Sequence, residues 1–251
     1  MPFTSVNGLR FHTEALGSGP PVAMLHGLLV GNLALWYFTA APALARSHRV
    51  LLYDLRGHGR TDRSLDGYDL ATMTRDLACL LEGFDARPVS LVGHSYGALI
   101  ALSYALLRPE RVARLVLADA PLPPSRAEEV SAFVALPPQE MAKALPEPVR
   151  RSLPGGGRRS VRFLQALEFL IARTSFPRDI VAEPDLPDSA LAQLSCEVLC
   201  LYGESSLCRP VGERLLRAIP KSKLVLVPGG HYFPLEAPEL TTAHLLEFLN
   251  G

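Results

Sequence analysis

The sequence predicts a doubly wound, mostly parallel α/β sheet with a helical insertion, and three observations carry that prediction. Short, nearly continuous apolar runs recur along the chain, as in strands buried on both faces. Patterns of helical period separate them. The five residues Gly93-His94-Ser95-Tyr96-Gly97 lie where one such run passes into a helical pattern. A chain of 251 residues has room for one large α/β domain with an insertion.

In chain order, Val22–Leu25, Val50–Tyr53, Val89–Val92, Leu115–Ala118, Val198–Tyr202 and Leu224–Val227 read as the strands. The helices between and after them read as Ala34–Ala45, Leu70–Glu82, Ala98–Leu107, Val211–Ile219 and Leu240–Leu249. The stretch Leu28–Ala45 holds no charged residue, but Gly31, Asn32, Thr39 and Pro42 interrupt it. A bilayer span needs about 20 mostly apolar residues, so this stretch reads as a buried loop and helix.

The prolines break the rhythm. Of 22 in the chain, 11 fall between Pro121 and Pro187, where no strand pattern is found. Residues 1–120 and 191–251 are therefore expected to form the core, and 121–190 a helical and loopy insertion between two strands. Within the insertion, Val161, Leu164, Leu167 and Ile171 make one stripe of a helix over Val161–Arg173. Pro154-Gly-Gly-Gly157 reads as a flexible joint.

Composition narrows the function. Apolar residues make up 48% and charged residues 20%, as in ordinary globular proteins. Lys plus Arg and Asp plus Glu are both 25, so no basic footprint points to nucleic acid. Met1–His12 lacks the long apolar stretch of a secretory signal, and a cytoplasmic protein without a membrane span is expected. Four cysteines are too few for a disulfide scaffold. The spacing of Cys196, Cys200 and Cys208 is no zinc pattern, so they read as buried thiols and no metal is expected.

The chemistry concentrates at Gly93–Gly97. A G-x-S-x-G turn between strand and helix holds its serine in a strained conformation at the strand's carboxyl end. The helix beginning there aims backbone N–H groups at developing negative charge. Ser95 is thus the candidate nucleophile. A serine needs a base, and His231 follows the last strand in Pro228-Gly-Gly-His231. That places it at the carboxyl edge of the sheet, where open α/β folds bind ligands. His26, His58 and His94 read as architectural.

Together these pieces make the sequence resemble the lidded α/β-hydrolases. The matching residues are His26-Gly27 after a strand, Asp54-Leu-Arg-Gly-His-Gly-Arg60, Gly93-His-Ser-Tyr-Gly97, and Gly229-Gly-His231 followed by Leu235-Glu-Ala-Pro238. The resemblance implies a serine nucleophile, a histidine base and a lid over the cleft, with no cofactor. It also implies an oxyanion hole from the N–H groups of Tyr96, after the nucleophile, and Leu28, after His26-Gly27. The serine separates the chain from the dehalogenase and epoxide-hydrolase branches, which use an aspartate.

One departure matters. The family often carries its acid in a Gly-x-x-Asp pattern after the strand Val198–Tyr202, and here that position is Ser206. Some members take the acid from the preceding strand instead, which selects Asp119. Glu204 is the alternative acid, and Asp119 also reads as a residue that caps the chain's entry into the insertion.

The expected activity is cofactor-independent cleavage of an ester, thioester or lactone of a small apolar acyl substrate, through an acyl-enzyme on Ser95. The alternatives are a carrier-protein thioesterase, a carbon–carbon bond hydrolase and a non-catalytic ligand receptor. Arg150, Arg151, Arg158, Arg159 and Arg162 are the only hint of an acyl carrier protein, and a solvated lid surface explains them as well. Phe133, Met141, Phe163, Phe169, Leu170 and Phe176 read either as lining a substrate pocket or as the insertion's own core.

Overall fold

The computed structural model describes residues 3–85, 88–122, 132, 135–144, 147, 150 and 158–251. Eight strands form one sheet: β1 Phe3–Val6, β2 Leu9–Leu16, β3 Pro21–Leu25, β4 Arg49–Tyr53, β5 Val89–His94, β6 Val112–Ala118, β7 Glu197–Gly203 and β8 Ser222–Val227. Their order across the sheet is β1-β2-β4-β3-β5-β6-β7-β8. The β1–β2 and β2–β4 pairs are antiparallel and the other five are parallel. The fold is therefore the expected doubly wound α/β sheet.

The chain runs outward from β3 to β4, then crosses back to place β5 on the other side of β3. Such a reversal leaves a crevice at the strands' carboxyl ends. In the parallel register Leu25 pairs with Gly93, His94 with Ala118, and Ala118 with Leu201. The exits of β3, β5, β6 and β7 thus lie side by side.

All six expected strands form. The first two were not anticipated, and the reason is physical. They make an edge hairpin, exposed in part, so β2 mixes Arg10, His12 and Glu14 with its apolar residues. Its legible signal is Asn7-Gly8, with φ of 49° and 78°, the left-handed pair that closes a two-residue hairpin.

Helices cover both faces. The expected helix Ala34–Ala45 is two short ones, α1 Ala34–Tyr37 and α2 Ala41–Leu44. Pro42 has no N–H to continue the first helix, so the chain starts a second around it. Beyond them α3 spans Leu70–Gly83 and α4 Tyr96–Leu107. Two apolar clusters result. Trp36, Leu44 and Phe248 pack on one face of the sheet, and Met73, Leu77 and Leu99 on the other.

Between β6 and β7 the described elements are helices: α5 Pro138–Ala144, α6 Arg158–Arg173, α7 Phe176–Val181 and α8 Asp188–Leu191. The stripe expected on α6 is shifted. Val161 is 53% exposed, whereas Leu167 and Leu170 are buried. Met141, Leu167, Leu170 and Phe176 join the same apolar cluster as Tyr68 and Tyr96. The Pro154–Gly157 joint and Phe133 lie outside the described residues. After β7 come α9 Arg209–Ala218, α10 Phe233–Glu236 and α11 Pro238–Asn250. Among the described residues no helix is long and apolar enough to cross a membrane.

Candidate active site

Ser95 sits between β5 and α4 with φ of 55° and ψ of −126°. A non-glycine residue there stores strain on the order of 1–3 kcal/mol, which the surroundings must hold. They do so through close packing. A side chain at Gly93 would meet the Ala98 backbone at 2.4 Å, and one at Gly97 would meet the His26 carbonyl at 2.4 Å. The Ser95 N–H donates to the Ala118 carbonyl over 2.9 Å, which ties the turn to the end of β6.

The structure brings the three candidate catalytic side chains together. His231 Nε2 lies 2.9 Å from Ser95 Oγ, and His231 Nδ1 lies 2.6 Å from Asp119 Oδ2. With Nδ1–H donating to the carboxylate, Nε2 is left as acceptor for the serine hydroxyl. Asp119 is fully buried and has φ of 50°. Its Oδ1 accepts the Gly203 N–H at 3.0 Å. Its Oδ2 accepts the Ser206 hydroxyl at 2.5 Å. Ser206, the family's usual acid position, therefore holds the carboxylate offered by the neighbouring strand. Glu204 is exposed.

Burial alone would lower the pKa of His231, but the hydrogen bond to Asp119 and the contact with Cys208 outweigh it and raise the imidazole to about 9. Cys208 was read only as a buried thiol. It is buried, and its Sγ also lies 3.9 Å from His231 Nδ1. The loop that carries His231 is pinned from behind, where Glu236 accepts the Gly230 N–H at 2.6 Å.

The Leu28 and Tyr96 N–H groups have no hydrogen-bond partner among the described residues. The turn that presents Leu28 is shaped by its neighbours. Leu29 is left-handed, with φ of 67°, and donates its N–H to His58 Nε2 at 2.9 Å. His58 Nδ1 in turn donates to the Arg56 carbonyl. Desolvation lowers the pKa of His58 to about 4 and that of His94 to about 3, so both stay neutral near pH 7. Asp54 accepts the N–H groups of Leu33 and Arg60, and His26 Nε2 accepts that of Leu55. The Asp54–Arg60 stretch thus ties loops together, as expected. The part that His58 plays in the turn after Leu28 was not legible beforehand.

A cavity of about 320 Å³ opens beside Ser95. Leu28, Val30, Leu35, Phe38 and Leu235 form its apolar wall, and among the described residues none that lines it carries a formal charge near pH 7. The insertion's apolar residues were read either as a pocket lining or as the insertion's own core, and Met141, Phe163, Phe169, Leu170 and Phe176 are not among the walls of this cavity. They pack instead: Met141, Leu170 and Phe176 are buried in the core, and Phe169 lies under the Arg63 guanidinium. Of the expected arginine cluster, Arg150 pairs with Glu147 and Arg162 is exposed. Arg151 and the side chains of Arg158 and Arg159 lie outside the described residues.

The family profile described as "alpha/beta hydrolase fold" matches residues 20–170. The chain belongs to the α/β-hydrolase fold family. Epoxide hydrolase 2 of Siraitia grosvenorii is 39% identical over 117 residues, which is 45% of this chain and 36% of that protein. RutD of Variovorax paradoxus is 39% identical over 113 residues, 45% of this chain and 42% of that one. The matches thus span less than half the length of these curated relatives. Among solved structures, a thermophilic esterase from Thermogutta terrifontis superposes with a TM-score of 0.80 at 26% identity. That likeness covers 99% of this chain and 96% of the esterase.

Proposed function

We propose that this α/β-hydrolase is a serine hydrolase that cleaves an ester, thioester or lactone through an acyl-enzyme on Ser95. The observation that carries this reading is the continuous hydrogen-bonded line from Asp119 through His231 to Ser95. His231 takes the Ser95 proton as the hydroxyl oxygen attacks the acyl carbonyl, then gives it to the leaving group. Asp119 fixes the tautomer and stabilises the imidazolium. The Leu28 and Tyr96 N–H groups receive the negative charge that develops on the carbonyl oxygen. Water, activated by His231, then releases the acid and restores Ser95. The serine favours this route over epoxide opening, for which the related branch uses an aspartate.

The uncharged cavity beside Ser95 supports a small, apolar acyl or alcohol group. Residues 121–190 would serve as the lid over the cleft. An organophosphonate should label Ser95 alone, and Ser95→Ala should abolish both labelling and hydrolysis of a generic aryl ester. Labelling at another serine, or undiminished hydrolysis by Ser95→Ala, would refute the assignment. A panel of short acyl esters, thioesters and lactones, read as kcat/KM, would then select the bond.

A further inference from the structure

Asp119, Cys208 and His231 offer one ligand atom each within 4.8 Å of one another. The three come from different elements: the exit of β6, the start of α9 and the loop after β8. We propose that this cluster is an inhibitory site for a soft divalent cation such as Zn²⁺ or Cd²⁺, held by Asp119 Oδ2, Cys208 Sγ and His231 Nδ1.

The donor set selects the ion. A thiol and an imidazole favour zinc and its heavier relatives over magnesium or calcium, which want oxygen. The geometry is near what such an ion needs. Zinc lies about 2.3 Å from sulfur and about 2.0–2.2 Å from nitrogen or oxygen, so tetrahedral ligands stand roughly 3.3–3.6 Å apart. Here Sγ and Nδ1 are 3.9 Å apart and must close slightly. Nδ1 and Oδ2 are 2.6 Å apart and must open. A ring displacement of less than about 1 Å meets both demands, and the Cys208 side chain must also bring Sγ toward Oδ2, which lies within 4.8 Å of it. The Ser206 hydroxyl, already on Oδ2, or a water can complete the shell.

Inhibition follows from the proton positions. Starting from the imidazolium that Asp119 favours, the ion replaces the protons on Sγ and Nδ1, and both protons go to solvent. The imidazole keeps its remaining proton on Nε2, which faces Ser95. That nitrogen is then a donor and cannot take the serine proton. The ion also separates His231 from Asp119. Because protons compete with the ion, inhibition should strengthen as pH rises.

The inhibitory outcome rests on the serine-hydrolase reading, whereas ion binding does not, and the test separates the two. Aryl-ester hydrolysis is titrated with Zn²⁺ in the wild type, in Cys208→Ala, and in Cys79→Ala as a control at a distant thiol. Cd²⁺ binding is followed by its near-ultraviolet thiolate absorption in Ser95→Ala, with and without Cys208→Ala. Wild type and Cys79→Ala should be inhibited alike, while Cys208→Ala should need at least about tenfold more Zn²⁺. The Cd²⁺–thiolate band should appear in Ser95→Ala and vanish when Cys208 is also replaced. Equal inhibition of Cys208→Ala, or a Cd²⁺ band that survives its loss, would place the ion elsewhere and overturn the proposal. If no ester is cleaved at all, the cadmium band alone still decides whether the site binds.

Discussion

The exits of β6 and β7 are neighbours in the sheet, and each begins with a tight turn. The β6 exit carries Asp119 in a left-handed conformation, with its carboxylate against His231. The β7 exit carries Ser206, where related hydrolases often carry their acid, and its hydroxyl reaches the same Asp119 oxygen. One turn supplies the charge and the other supplies the hydrogen bond that holds it. The position of the proposed catalytic carboxylate is thus defined by where its oxygens arrive, and two adjacent strands can reach the same place. The β7 turn adds the Gly203 N–H and leads into Cys208, so it contributes to the site without supplying a charge.

The strongest way to break this comparison is to neutralise the carboxylate. Asp119→Asn should keep the fold and lose about 10²–10⁴ in kcat, because His231 loses both its orientation and its tautomer. Steady-state kinetics beside a thermal melt checks this. A near-wild-type rate would show that the β6 turn only enters the insertion. The next largest effect is a rescue. Ser206→Asp placed in the Asp119→Asn background should recover at least about tenfold, because the β7 turn would then present the acid from the family's usual position. No recovery would mean that the two turns are not interchangeable.

How much of this arrangement could be read from the sequence depends on which contacts are local. The five inner strands β3 to β7 were legible because both faces of each are covered, which leaves continuous apolar runs, and β8, the half-buried strand at the far edge, was legible from its own apolar run Leu224–Val227. The β1–β2 hairpin was not, because one exposed edge mixes polar residues into it. Ser95 was legible because its turn is written in five consecutive residues. His231 was selected by its place after a strand and Asp119 by the family resemblance, and these residues, 112 positions apart in sequence, lie 2.6 Å apart in space. Ser206, Cys208 and His58 escaped, since their partners are set by parallel register and loop packing. Nothing local marks Cys208 as a neighbour of His231. Ser206 did carry a signal, standing at the vacated acid position, but its hydroxyl was not read as a partner for the replacement.

A third effect concerns pH. On the proposed mechanism His231 is the base and must be neutral, so a raised pKa costs activity on the acid side. The acid limb of kcat/KM should therefore lie above 6.5, with activity falling as pH drops through a value near 9. Cys208 contributes to the elevation by its contact with Nδ1. Cys208→Ala should move the limb toward lower pH, and an unmoved limb would assign the elevation to the β6 turn alone.

The smallest effects belong to the side chains that the β7 turn presents without a charge in the site. Ser206→Ala removes one hydrogen bond to a buried carboxylate that still has the Gly203 N–H and His231, so a loss of about tenfold in kcat is expected. Glu204 lies two residues earlier, and the contrast is sharp. Its backbone N–H is bonded to the Val227 carbonyl, while its side chain stands exposed to water. An exposed carboxylate is screened by solvent, and neutralising it changes neither the tautomer nor the position of His231. Glu204→Gln should therefore stay within about threefold of wild type in kcat and leave the pH limb in place. If Glu204→Gln is crippled while Asp119→Asn is not, the charge belongs to the β7 turn after all, and the buried Asp119 is a structural partner of Ser206.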